Sequence, residues 1–215
     1  VSITTAAVSG GRRGVVAINS GNGGTSLDTT LGTVTGTLYQ GITATDSGLG
    51  DLTVTTAAVN GGFHALYARN YGGGLLTIDS TLGTVTATGN DGVHARNDNG
   101  GTLSITTAAV TGSRHGIYAR NRYSGNLAVD STLGTVSGTL ALGSGIYARE
   151  RSAGYLSLTT AAVSGGTGIN ARNYDGGLLS IDSTLGLVTG TSYAGIDAQD
   201  AGTGDLTITT ASVTG

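Results

Sequence analysis

Five arginines recur in one local context. Arg69, Arg96, Arg120, Arg149 and Arg172 each follow an alanine, and two positions before each stands Tyr67, His94, Tyr118, Tyr147 or Asn170. A guanidinium is a flat, permanently charged fork that grips carboxylates with two parallel hydrogen bonds and lies readily on aromatic rings. A row of such Arg–Tyr pairs is the chemistry of a surface that holds acidic glycans or a partner's carboxylates. The same groups also stack on one another, covering a sheet and keeping it soluble, and this is the blander and commoner use. Ile18, Thr45 and Gln199 take the arginine's place in the outer copies of the context. Any binding face is thereby confined to the middle of the chain.

Other reactive types are less promising. Asp28, Asp79, Asp130 and Asp182 recur in alternate units, with Thr4, Thr55, Thr106, Thr159 and Thr209 at the same place in the units between. In stacked strands about 4.8 Å apart this leaves the carboxylates nearly 10 Å from one another. That is too far to share an ion held at about 2.4 Å, and the aspartates read as corner or anti-aggregation residues. Gly202-Thr203-Gly204-Asp205-Leu206 is only a fragment of the calcium-binding nonapeptide Gly-Gly-x-Gly-x-Asp. Runs such as Thr33-Val34-Thr35 and Thr84-Val85-Thr86 suggest an ice-binding threonine array, yet Ala58, Asn60 and Ala109 interrupt it. His64, His94 and His115 form no repeated pair with a nucleophile, and no two acids recur at glycosidase spacing. No catalytic residue, cofactor site or metal site is expected, and the chain is not expected to be an enzyme.

These residues are positioned by a repeat. Thr-Thr-Ala-Ala-Val ends at Val8, Val59, Val110 and Val163 and returns as Thr-Thr-Ala-Ser-Val at Val213; Thr-Leu-Gly-Thr-Val ends at Val34, Val85 and Val136 and returns as Thr-Leu-Gly-Leu-Val at Val188. Interleaved, the nine valines are 26, 25, 26, 25, 26, 27, 25 and 25 residues apart. From the last residue of the arginine context (Asn19, Asp46, Asn70, Asn97, Asn121, Glu150, Asn173, Asp200) to the next valine, the gap alternates strictly between 15 and 13. Two kinds of unit of about 25 residues therefore form a 51-residue pair. The opposite gap, from valine to arginine context, varies from 10 to 14, so variation is confined to one corner.

Short apolar–polar alternation within each unit is the period of strands with one buried face. Leu103 and Ile105 point inward on one strand, Ile117 and Ala119 on another, and a third centres on Val110. The 40 Gly, together with Asn, are assigned to corners that need left-handed backbone. The absence of Pro fits strands whose every N–H pairs with the next coil. The fold expected is all-β: a right-handed, three-sided parallel β-helix of eight to nine coils spanning residues 1–215 as one region, open at both ends. With no Cys there is no disulfide or thiolate site, and no apolar run reaches the roughly 18 residues of a membrane span. A net charge of -3 gives no reason to expect nucleic acid as a partner. Half of the ten arginines have no repeated place.

The combination Gly116-Ile117-Tyr118-Ala119-Arg120-Asn121 with Gly-x-Leu-x-Ile-Thr-Thr and Val-Thr-Gly resembles the passenger regions of bacterial autotransporter adhesins and related haemagglutinin-type surface proteins. The resemblance runs over essentially the whole chain. It implies a right-handed β-helix exported by a type V pathway to the surface of a Gram-negative bacterium. Val1-Ser2-Ile3-Thr4, without an initiator Met or a charged start, reads as the beginning of a processed or excised piece. The expected function is a structural or adhesive rod of a secreted cell-surface protein. Alternatives are a subunit that stacks end to end into an extracellular filament, a host-glycan or receptor-binding face on the Arg/Tyr column, and an ice-binding threonine face.

Overall fold

The computed structural model describes Val1–Gly215 and is built of β-strands without a helix. Each turn of the chain contributes three strands, as in Leu103–Thr107, Val110–Gly112 and His115–Arg122 of the fifth turn. Every strand pairs in parallel with its equivalents in the turns before and after, so three stacks run the length of a β-solenoid. Seven three-strand turns are followed by an eighth in which the single strand Leu179–Gly190 runs through the first and second stacks before Ile196–Asp200, giving eight turns of about 26 residues, and Leu206–Thr214 starts a ninth. The nine landmark valines pair one to one from Val8 to Val213, in the order their spacing requires.

Strict alternation places one contiguous cluster of 35 buried apolar residues along the axis. Leu103, Ile105, Val110, Ile117 and Ala119 all lie in it, as the period of two demands. The alanine is the same in all eight strands of the third stack, from Ala17 to Ala198. Native interiors are close-packed, so a column of methyl groups, buried from Ala17 to Ala171, marks a level where the interior has no room for more.

The alternation of 15 and 13 has a simple origin at the corner between the first and second stacks. From inward residue to landmark valine the chain uses Ile3 to Val8 in one kind of turn and Leu27 to Val34 in the other. The two additional residues form a hydrogen-bonded turn: the Oδ1 of Asp28 accepts from the N–H of Thr30 at 2.9 Å and from its hydroxyl at 2.7 Å. Asp79/Thr81, Asp130/Thr132 and Asp182/Thr184 repeat it. Those aspartates are therefore corner residues. The backbone hydrogen bond from residue i+2, with the hydroxyl beside it, holds the carboxyls of Asp28 and Asp182 below their ordinary range.

Two expectations about the corners change. Asn19, Asn70, Asn97, Asn121 and Asn173, with Asp46 and Glu150, are buried at the inward end of the third stack rather than placed on turns. They form a polar ladder that holds the Gly-rich loop beyond: the Oδ1 of Asn70 accepts from Gly72 N–H at 2.9 Å, while its Nδ2 donates to the carbonyl of Leu75 at 3.1 Å. A buried amide satisfies loop groups that would otherwise be left unpaired in the interior. Left-handed backbone, in turn, is found at only four glycines, Gly100, Gly101, Gly125 and Gly176, and at Tyr123.

Most glycines serve close approach between turns instead. A Cβ on Gly116 would lie 2.5 Å from the Cγ1 of Val136 and 2.7 Å from the carbonyl oxygen of Gly145. Gly116→Val is expected to cost about 1–3 kcal/mol through overpacking, read as a lowered thermal midpoint by circular dichroism. An unchanged midpoint would show that neighbouring turns slide apart freely. Ala65 holds the equivalent place two strands earlier in the stack, so a single methyl is tolerated at one level of the rod.

Candidate functional site

The outward face of the third stack gathers the predicted column. Arg69, Arg96, Arg120, Arg149 and Arg172 are consecutive register partners, bounded by Thr45 below and Gln199 above. Tyr67, His94, Tyr118, Tyr147 and Asn170 form the adjacent column in the same ladder. Their rings stack face to face: Tyr67 on His94 at 5.1 Å, His94 on Tyr118 at 4.4 Å, and Tyr118 on Tyr147 at 5.2 Å, with interplanar angles of 15°, 7° and 11°. The strand spacing brings successive rings to stacking distance without distortion. Burial raises the Tyr147 hydroxyl above its ordinary pKa, which keeps it a neutral donor.

The arginines are not equivalent. Arg69 and Arg96 converge on Asp98, at 2.5 and 3.0 Å, and their side chains are only 21% and 20% exposed. Arg69 also lies over the ring of Tyr71, 3.9 Å from its centroid. Arg172 is paired with Asp197 at 2.6 Å. That bond, outweighing desolvation, raises its already high pKa further. Arg149 lies over Tyr147 at 4.6 Å, and neither it nor Arg120 has a carboxylate partner. Three of the five guanidiniums are thus held by the protein's own acids, and the ungripped cations lie at Arg120 and Arg149.

Spacing from the landmark valines did not reveal a second pair. Arg122 and Arg151 are register partners two residues beyond the column, because the third strands of the fifth and sixth turns run on to eight residues. With Tyr123 and Asp175 they line a shallow dish of about 270 Å³. Arg151 also lies over Tyr174 at 5.0 Å. Arg12 and Arg13 sit at the variable corner, where both cover Tyr39 and Arg13 donates to Gln40 Oε1 at 3.1 Å. These contacts place four of the five arginines that the repeat left unassigned.

A second cluster lies where the variable corner enters the third stack. His64 and His115 are equivalent residues, almost wholly buried, and each Nδ1 accepts a backbone N–H from the turn above: Asp91 at 3.3 Å and Ser144 at 3.0 Å. Each ring is thereby fixed with its proton on Nε2. Burial lowers both to a pKa of about 4, so neither ionises at neutral pH. Between them in the stack stands Asp91, only 1% exposed, whose Oδ2 meets His94 Nδ1 at 2.8 Å and His64 Nδ1 at 3.5 Å. Asp91 belongs to no repeated motif. Its one sequence signal is that it lies three residues before the only histidine of the aromatic column.

The remaining outward columns are plainer. Along the second stack, Thr35, Asn60, Thr86, Thr111, Ser137 and Ser164 are partners, so the threonine array is broken. Comparison with protein-family models, with curated proteins and with solved structures found no match. The functional reading therefore rests on the geometry and on the residues of the repeat.

Proposed function

We propose that the chain is a rigid rod segment, structural or adhesive, of a secreted bacterial cell-surface protein of the autotransporter-passenger kind. The uninterrupted register of nine valines from Val8 to Val213 is the observation that supports this most. A stack with no break in pairing behaves as one stiff body, here roughly 40 Å long at about 4.8 Å per turn. Variation is confined to one corner, a few residues long, so the rod sets distance and presents side chains without enclosing a cleft. The resemblance in repeat residues supplies the cell-surface setting. On this reading the adhesive chemistry lies at Arg120 and Arg149, with Arg122 and Arg151 beside them, and suits acidic glycans or a carboxylate-bearing receptor.

A glycan array comparing the parent chain with an Arg96→Ser, Arg120→Ser, Arg149→Ser variant tests the adhesive form. Retention of sialylated or uronic-acid glycans by the parent, reduced at least tenfold in the variant, is the expected result. Equal binding, or none, reduces the function to that of a spacer.

The second reading is end-to-end stacking into a filament. Leu206, Ile208 and Val213 of the last turn are 45%, 42% and 41% exposed, although their partners Leu179, Ile181 and Val188 are fully covered. A further turn, from the same chain or another copy, would cover them. Sedimentation with negative-stain imaging separates the readings: short discrete rods at high concentration count against assembly, and long fibres favour it.

A further inference from the structure

We propose that His64, Asp91 and His94 form a binding site for one divalent transition-metal ion, zinc being the best match to the donors. One ligand atom from each residue, a ring nitrogen of each imidazole and a carboxylate oxygen, lies within 4.8 Å of the others. Ligands at about 2.0–2.1 Å from a tetrahedral ion are roughly 3.3 Å apart. The two contacts with Asp91 Oδ2, 2.8 and 3.5 Å, bracket that separation. Two nitrogens and one carboxylate with a fourth position open is the donor pattern of sites that keep a water on zinc.

The independent pointer is Asp91 itself. Its Oδ1 is buried and has no hydrogen-bond partner. An unpaired buried carboxylate oxygen is costly, and a cation is the partner that removes the cost. The histidines are equally suited. His64 carries its proton on Nε2, so its Nδ1 lone pair faces the site and would exchange a long 3.3 Å hydrogen bond for a metal bond. His94 donates from Nδ1 to the Asp91 carboxylate at 2.8 Å. For binding, that proton moves to Nε2 and none need be lost. The flanking rings fix the ligand: Tyr67 and Tyr118 sandwich the His94 imidazole. His115 lies outside the cluster of ligand atoms, and the residue above it in the stack is Ser144, which brings no carboxylate.

Calorimetric titration of the metal-free 215-residue chain with zinc chloride, in a non-coordinating buffer at neutral pH, is expected to show one saturable equivalent. Asp91→Asn and His94→Gln should each weaken it at least 100-fold, beyond the roughly 10–100-fold that loss of a supporting outer-shell group costs. His115→Gln should leave it within about threefold. Circular dichroism establishes that each variant is folded. The parent provides a test needing no variant: in long-range nitrogen–proton spectra, zinc should shift the Nδ1 resonances of His64 and His94 and spare those of His115. Absence of a saturable equivalent at millimolar zinc overturns the proposal. So do affinities unchanged by Asp91→Asn and His94→Gln, loss of binding on His115→Gln, or zinc shifts confined to His115.

Discussion

Glu150→Gln is expected to raise the melting temperature at pH 8 and to leave it unchanged at pH 4. Glu150 occupies the buried ladder between Asn121 and Asn173, where every other residue of the interior turns is an amide or Asp. Its Oε1 accepts from the Ser152 hydroxyl at 2.6 Å, while Oε2 is buried without a partner. Desolvation dominates and pushes its pKa up to about 7, from 4.5. Below pH 4.5 the carboxyl is neutral folded or unfolded and costs nothing. As pH rises from 4.5 to 7 the unfolded chain ionises first, so stability is lost across that window and the loss is complete above it. Gln keeps the shape and cannot ionise, which should recover on the order of 2 kcal/mol at pH 8. For a chain of this size that is about 4–8 °C, measurable by calorimetry. Equal midpoints for the two chains at pH 8 would mean that the ladder accommodates the anion without penalty. The buried histidines act in the opposite sense over nearly the same range. His64 and His115, lowered from 6.5 to about 4, hold stability that is full above pH 6.5 and lost as pH falls toward 4. The two windows overlap between pH 4.5 and 6.5, where the effects oppose each other; with two histidines against one carboxyl, the parent's stability should rise with pH toward about 6.5.

Leu127→Ala is expected to destabilise the rod by about 2–5 kcal/mol, the range for deleting a buried leucine when the cavity cannot collapse. Leu133→Ala, six residues along the same turn, should change stability by less than about 0.5 kcal/mol. Leu127 is fully buried at the start of its strand, partnered by Leu103 below and Leu156 above. Leu133 is 65% exposed, at the tip of the Asp130–Thr132 turn. Chemical denaturation of both variants distinguishes them. Comparable losses would show that the exposed leucines, Leu31, Leu82, Leu133 and Leu185, pack against one another across alternate turns.

Much of this architecture is legible from the residues because a solenoid turns sequence period directly into spatial register. Residues one turn apart are neighbours, so equal spacing of Val8 to Val213 is equal stacking, and the Arg and Tyr columns follow from counting. Legibility fails where a side chain's direction is set by something other than alternation. The asparagines look like turn residues by composition, yet alternation from Ile117 through Ala119 continues to Asn121, which is inward and buried. The preference of Asn for loops misleads there, because the ladder satisfies a loop from inside the core. The glycines mislead likewise: close approach between turns, and not positive φ, accounts for most of them.

The candidate sites divide on the same principle. Column membership of Arg69, Arg96, Arg120, Arg149 and Arg172 was determined by the sequence, because it depends only on spacing. Which of them is free was decided by the tertiary structure. Asp98, which holds Arg69 and Arg96, lies at the start of a loop where no period applies. The meeting of His64, Asp91 and His94 is likewise tertiary. It joins a residue of one turn to two of the next across 27 and 30 positions, at the corner whose length varies. Repetition specifies where each strand lies. Only the folded backbone decides which irregular residues of neighbouring corners come within reach of one another.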